Sequence, residues 1–123
     1  MVQSYSLNIT VPANTSIPFN STSVQKGCSA THPSADTFEL NKCGVYMVSV
    51  DASAAAATTI QLQKNGVAQP AAQSTGSSPS FTTLVQVDKN NTCCACSSPT
   101  TLKVINTTAT TFTDANIVIT KIC

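Results

Sequence analysis

The fold of this chain is decided by a short stretch that reads Thr37-Phe38-Glu39-Leu40-Asn41-Lys42-Cys43-Gly44-Val45-Tyr46-Met47-Val48-Ser49-Val50. Apolar positions recur on both sides of Gly44, which predicts a strand, a turn that contains the glycine, and a second strand. Further along, Ile60-Gln61-Leu62-Gln63 runs into Lys64-Asn65-Gly66. Asn-Gly is the dipeptide that best tolerates the positive φ angles of a tight hairpin. Both stretches predict an all-β protein.

The same alternation continues outward in both directions. It predicts an N-terminal strand over residues 5–11 and later strands over residues 81–87, 101–105 and 116–122. We interpret residues 26–36 and 73–79 as loops, because Ser, Thr, Gly and Pro dominate there. The alanines at 54–57 predict a strand or loop where packing is too close for larger side chains. Eight to ten short strands predict an antiparallel two-sheet sandwich, with residues 1–123 forming a single domain.

Composition excludes several function classes. The 123 residues include six lysines, no arginine and five acids, for a formal charge of +1. Without a basic stripe or an arginine we expect no nucleic-acid partner. No apolar stretch is long enough to cross a bilayer, so we expect no membrane partner. The N-terminal residues lack the basic start and apolar run of a signal peptide, so the chain is either made and used without Sec export or is a mature fragment restarted with Met, and we favour the first.

Six cysteines are the chain's main chemical feature, and their state is open at the level of sequence. An even number in a small domain favours disulfides, for which six cysteines allow 15 pairings. The alternative is a zinc site, because Cys93 and Cys96 have Cys-x-x-Cys spacing and Cys28 with Cys43 would complete a set of four thiolates. We expect disulfides or free thiols rather than a metal. The disulfide candidates are Cys28, Cys43, Cys93, Cys94, Cys96 and Cys123.

No pattern of residues predicts catalysis. We interpret His32, the one histidine, as a solvated loop residue. A nucleophile pair with Cys28 would need a carboxylate or amide to orient the imidazole, and the sequence suggests none. The five acids are scattered, and neither a phosphate-binding glycine loop nor a nucleophile elbow is present. We therefore expect no enzyme, no catalytic residue and no cofactor.

The order of several short motifs resembles a known family. They are Ile17-Pro18-Phe19, Phe38-Glu39-Leu40 before Gly44-Val45-Tyr46, Leu62 to Gly66, Leu84 to Asn90, and Ala115 to Ile122. Together they resemble the complement-globular-head/tumour-necrosis-factor-like jelly roll. The bacterial branch is the most similar, with the C-terminal domains of collagen-like exosporium glycoproteins and phage head-fibre proteins. The resemblance implies a ten-strand jelly roll that assembles as a tight trimer. It also implies that the small residues at 52–57 approach a three-fold axis.

Two functional hypotheses follow. The first is a structural protein of the virion surface: a trimeric decoration or head-fibre protein on a bacteriophage capsid, made in the bacterial cytoplasm. One end of the trimer, including the strand around Tyr5 and Leu7, would contact the capsid, and loops such as 73–79 would face outward. The alternative is a receptor- or glycan-binding module of a fibre tip, or an adhesin on a spore or cell surface.

Overall fold

A computed structural model describes residues 1–27, 30–87 and 95–122 of the chain, with the backbone alone for residues 95–99. The described residues form eleven strands and no helix. The strands are β1 (Val2–Val11), β2 (Thr15–Ser16), β3 (Ser21–Gln25), β4 (Ala30–Ser34), β5 (Thr37–Lys42), β6 (Gly44–Ala54), β7 (Thr58–Lys64), β8 (Val67–Gly76), β9 (Ser80–Val87), β10 (Ala95–Asn106) and β11 (Thr110–Lys121).

The strands are arranged in two antiparallel sheets that face each other. Sheet A has the order β3-β1-β11-β6-β9, and sheet B has the order β4-β5-β10-β7-β8, with the short β2 paired to β10. The predicted fold class, a two-sheet antiparallel jelly roll, is confirmed. The strand number is slightly higher than predicted, because short pieces such as β2 and β4 carry too few residues to show a period in the sequence.

The two motifs that predicted the fold have different roles in the sandwich. Asn65 and Gly66 have φ values of 52° and 81°, and they join β7 to β8 as a hairpin in which Lys64 pairs with Val67. The predicted turn at Asn65-Gly66 is therefore confirmed. The turn at Gly44 is also present, but its strands do not pair, since β5 belongs to sheet B and β6 to sheet A. Gly44 has a φ of 141°, which lies in the region that favours glycine.

Side chains that alternate along the strands fill the space between the sheets. Tyr46, Phe19, Phe38 and Phe112 are the largest fully buried side chains. The rings of Phe19 and Phe38 meet edge to face at a centroid distance of 5.7 Å. The remaining core is mainly aliphatic, and its larger members are Ile17, Leu40, Ile60, Leu62, Leu102, Ile117 and Ile119.

Three local predictions were wrong. Residues 26–36 are not all loop, because 30–34 form β4, which pairs with β5. Residues 73–76 extend β8, so only 77–79 connect it to β9. Both segments are polar strands at sheet edges, where patterning is weak because one side faces solvent. The alanines 55–57 form a loop, and they are exposed rather than closely packed within the chain.

Candidate functional site

The outward face of sheet A carries an unusual number of apolar side chains. Five of the eight large hydrophobic side chains that are exposed in the described residues lie on the outward face of this one sheet. Leu7 and Leu84 are the most exposed, at 60% and 63%. We call this surface the apolar face and define it by Tyr5, Leu7, Val24, Met47 and Leu84.

Strand register shows how the apolar face is built. Tyr5 and Leu7 alternate with buried residues along β1, so both point away from the core. Val24 lies beside them, because it pairs with Gln3, which shares their side of β1. On the other half of the sheet, Met47 of β6 pairs directly with Leu84 of β9. These pairs give two apolar clusters, one on β1 and β3 and the other on β6 and β9.

Strand β11 separates the two clusters. Its outward residues Asn116, Val118 and Thr120 are half-buried and carry no charge. Neighbouring strands lie about 4.8 Å apart, so β1 and β6, which flank β11, are roughly 10 Å from each other. Asp51 and Asp114 are the charged side chains of this face, and no described residue forms an ion pair with either. The face is thus apolar at two places and polar but mostly uncharged between them.

His32 is not the solvated loop residue that the sequence predicted. It lies half-buried in β4, and its ring stacks on Phe38 with a centroid distance of 4.1 Å. Nε2 lies 3.0 Å from the carbonyl of Ala35 and therefore carries the proton. Nδ1 lies 3.1 Å from the Ser4 hydroxyl and 3.2 Å from the Thr22 hydroxyl, and its single lone pair accepts a hydrogen bond from this pair of side chains. Nδ1 therefore ties β4 of sheet B to β1 and β3 of sheet A, while Nε2 bonds within the turn between β4 and β5.

Asp36 organises the turn between β4 and β5. The Ser16 hydroxyl donates to Asp36 Oδ2 over 2.6 Å, and Thr37 donates to Oδ1 over 3.0 Å. Lys103 approaches Oδ2 at 3.9 Å. The Ser16 hydrogen bond is the main reason that the pKa of this carboxyl lies below its usual value; burial opposes the shift, while Thr37 and Lys103 add to it. The carboxylate therefore holds the turn between β4 and β5 against β2 and β10.

Asn106 is a buried amide in β10 that holds neighbouring segments of the chain together. Its Nδ2 donates to the carbonyls of Val11 and Thr108 at 3.1 and 2.7 Å. Its Oδ1 accepts from the Thr58 hydroxyl at 2.6 Å. A fully satisfied amide in the core fixes three chain segments relative to one another. Asn106 therefore links the end of β1 in sheet A to β7 and β10 in sheet B.

The structure tests only part of the cysteine predictions. Cys43 is buried and disulfide-bonded. It lies between β5 and β6, at the point where the chain passes from one sheet to the other. The side chain of Cys96 is not described, and the other candidates, Cys28, Cys93, Cys94 and Cys123, lie outside the described residues. Disulfides among these residues stay predictions. The zinc set of four thiolates is incompatible with the disulfide at Cys43, because a disulfide sulfur is not a thiolate.

The described residues offer no candidate metal site. They contain no group of three His, Cys, Asp or Glu side chains that could hold a metal ion. Every buried side-chain nitrogen or oxygen in this part of the chain has a hydrogen-bond partner. None of the described segments is a helix that could span a membrane.

The sequence did not predict the apolar face. It placed Tyr5 and Leu7 at the end of the trimer that contacts the capsid, which stays a prediction, and the structure shows that both side chains are exposed. Met47 and Leu84 were missed, although a signal exists: each follows or precedes an apolar residue within a strand, as in Tyr46-Met47-Val48. A strand that is apolar on both sides is typically covered on both sides.

Comparison with solved structures identifies the fold. No family model matches the chain, and no curated protein matches it by sequence. Among solved structures, the globular domain of the zebrafish complement 1qA protein is similar, with a TM-score of 0.74 and 12% sequence identity. The match covers 99% of this chain and 96% of that chain. The chain therefore has the jelly-roll fold of a complement-type globular domain over its whole length.

Proposed function

We propose that this chain is a non-enzymatic structural protein that functions as a homotrimer on the surface of a particle. The observation that carries the proposal is the apolar face of sheet A. Exposed apolar side chains gathered on one sheet cost free energy in water, and monomeric proteins seldom keep a large patch of them uncovered. A second copy of the chain is the partner that we propose for this face.

The arrangement of the face is compatible with a ring of three copies. A cyclic trimer has heterologous contacts, in which two different patches of each copy meet. The face offers two such patches, Tyr5 with Leu7 and Val24 on one side and Met47 with Leu84 on the other. The cluster on β6 and β9 of one copy would pack against the cluster on β1 and β3 of the next.

The particle is proposed to be a bacteriophage capsid, with the protein as a decoration or head-fibre component. The resemblance to phage head-fibre proteins supports this assignment, and the jelly roll agrees with it. Icosahedral shells offer local three-fold positions that a trimer fits by symmetry. A virion-surface location, after synthesis in the bacterial cytoplasm, belongs to the same proposal. Absence of the chain from mass spectra of purified particles of its source would contradict it.

A glycan-binding module is the second candidate, and the described aromatic residues give it little support. Sugar binding commonly uses aromatic rings exposed in loops. Phe19, Phe38, Phe112 and Tyr46 are buried instead, and Phe81 is packed against the core. Tyr5 is exposed, but it lies within a strand on the apolar face.

Sedimentation velocity tests the assembly directly. We expect the wild-type chain to sediment as a trimer. Leu84→Asp places a carboxylate in one cluster and should give monomers, and Tyr5→Lys places an ammonium in the other cluster and should weaken assembly. The double variant should recover trimers, because each contact of a ring then joins a lysine to an aspartate.

A two-fold dimer would be distinguished by its mass. In a two-fold contact residue i of one copy can meet residue j of the other while j meets i, so rescue by the double variant identifies the paired clusters, and the sedimenting mass decides between two copies and three. A wild-type monomer at high protein concentration would refute the homotrimer itself. Circular dichroism of each variant distinguishes loss of assembly from loss of folding.

A further inference from the structure

We infer that one end of the sandwich is a docking surface for an acidic protein, and that this end attaches the trimer to its particle. The inference rests on the proposed function, because it identifies which end of the trimer makes contact and with what chemistry. We call this surface the lysine end. It consists of Lys26, Lys42, Lys64 and Lys121, together with the side chains of Met1 and Ile122.

Hydrogen bonds join one half of the lysine end. The amino group of Met1 donates to the carbonyl of Lys26 over 2.9 Å, and the amide of Lys26 donates back to the Met1 carbonyl over the same distance. The neighbouring Val2 pairs with Ile119, two residues before Lys121. The N-terminus, Lys26 and Lys121 therefore lie at the same end of sheet A.

Two further contacts place Lys42 and Lys64 at this end. The Tyr46 hydroxyl donates to the Lys42 carbonyl over 2.6 Å, and Tyr46 pairs with Lys121. Lys64 Nζ donates to the carbonyl of Gln86 over 2.6 Å and so reaches from sheet B to the edge of sheet A. Gln86 in turn pairs with Val45, whose carbonyl accepts a hydrogen bond from the amide of Ile122.

The charges of the described residues are distributed unevenly between the two ends. Four of the five described lysines lie at the lysine end, and none of the four forms an ion pair with a described acid. The fifth, Lys103, lies within sheet B and approaches Asp36. The described acids lie elsewhere: Asp36 is in the turn at the opposite end, and Glu39, Asp51 and Asp114 lie within strands. Among the described residues this end carries four lysines and no acid, and such a positive surface attracts a negative partner.

The proposed trimer would concentrate this charge. Rotation about a single axis keeps the same end of every copy on the same side when the strands run along that axis. Three copies of four lysines then give a surface with twelve ammonium groups. Simultaneous contacts from three copies strengthen binding beyond that of one copy.

The apolar side chains of this end favour a protein over other polyanions. Met1 and Ile122 are 43% and 49% exposed and lie among the lysines. A phosphate backbone offers nothing apolar for them to contact, and the chain has no arginine for bidentate phosphate contacts. A surface that mixes carboxylates with apolar groups would satisfy both parts of the lysine end.

The test compares two variants of the intact chain that lose the same charge at different places. Lys26→Gln, Lys42→Gln and Lys121→Gln together remove three positive charges from the lysine end. Lys103→Gln with Gln61→Glu and Gln63→Glu lowers the net charge by the same three, all on the outward face of sheet B. The probes are a fluorescent peptide that alternates glutamate with leucine, an oligoglutamate peptide and a DNA duplex, each followed by anisotropy.

We expect the wild-type chain to bind the glutamate–leucine peptide more tightly than oligoglutamate, with affinity that falls as salt rises. The lysine-end variant should bind it about tenfold or more weakly, while the sheet B variant stays within about twofold of wild type. Carbodiimide cross-linking should join the peptide to Lys26, Lys42 and Lys121 and not to Lys103. Equal losses in both variants, no peptide binding, or tighter binding of duplex DNA at physiological salt would overturn the inference.

Sedimentation of the same samples separates this inference from the proposed function. A trimeric wild type without end-specific binding refutes the lysine end alone. A monomeric wild type that still binds through the lysine end refutes the homotrimer alone.

Discussion

The outward faces of the two sheets have the same backbone geometry and different chemistry. On sheet A the outward positions include Tyr5, Met47 and Leu84. On sheet B the corresponding positions of β7 are Thr59, Gln61 and Gln63, which alternate with buried residues. A strand requires only that one of its sides be apolar, so the other side is available for function. In the proposed trimer, sheet A is the covered face and sheet B the solvated one.

The largest expected effect comes from placing the same charge on each face. Met47→Lys should convert the trimer to monomers, with an association constant at least 1,000-fold lower (about 4 kcal/mol), because the ammonium would be buried at the contact without a partner. Gln61→Lys adds the same charge to sheet B and should leave the trimer intact. Sedimentation equilibrium checks both, and dissociation of the Gln61 variant would contradict the comparison.

The second prediction concerns Asn106, whose hydrogen bonds join segments of both sheets. Asn106→Leu should lower the free energy of unfolding by on the order of 3 kcal/mol, because it removes the donor to Val11 and Thr108 and the acceptor for Thr58. Urea unfolding in the monomeric Met47→Lys background measures the loss without a contribution from assembly. Asn116→Leu, which changes a half-buried amide on the outward side of sheet A, is the matched control. It should cost well under 1 kcal/mol.

The third prediction concerns how much one aromatic side chain of the apolar face contributes to assembly. Tyr5→Ser should weaken the trimer by roughly 10- to 100-fold, since a buried aromatic side chain contributes about 1.5–3 kcal/mol to such a contact. The exposed control on sheet B is Thr59→Ser, which should leave assembly unchanged. Dilution experiments followed by light scattering check both. An unchanged trimer in the Tyr5 variant would exclude the β1 cluster from the contact.

The smallest expected effect is a dependence of stability on pH at Asp36, a residue away from the apolar face. Because folding lowers the pKa of this carboxyl, its ionised form stabilises the fold above the ordinary value of 3.8, and that contribution disappears as pH falls through the lowered value. The carboxylate is partly exposed, so we expect less than about 1 kcal/mol. Asp36→Asn should lower stability at neutral pH and match wild type in acid, with urea unfolding at both pH values as the measurement. A deficit that persists in acid would indicate lost packing rather than lost charge.

Much of the fold could be predicted because its signals are local. Period-two patterning in β6 and β7 and the Asn65-Gly66 turn act over a few residues, and the structure confirms them. His32 was misassigned because its partners, Ser4, Thr22 and Phe38, are distant or unmarked in the sequence. A polar residue in a short polar strand resembles a loop residue until its contacts are known.

The sequence by itself determined that the chain is all-β, where most strands run and that no familiar catalytic pattern is present, since these depend on residue types and short spacings. Only the tertiary structure decided that the strands on either side of Gly44 enter different sheets, and that Tyr5, Val24 and Leu84 share one face. It also gathered four separated lysines at one end. Strand order and register bring distant residues together, and no local pattern encodes them; they follow from how two sheets bury one common core.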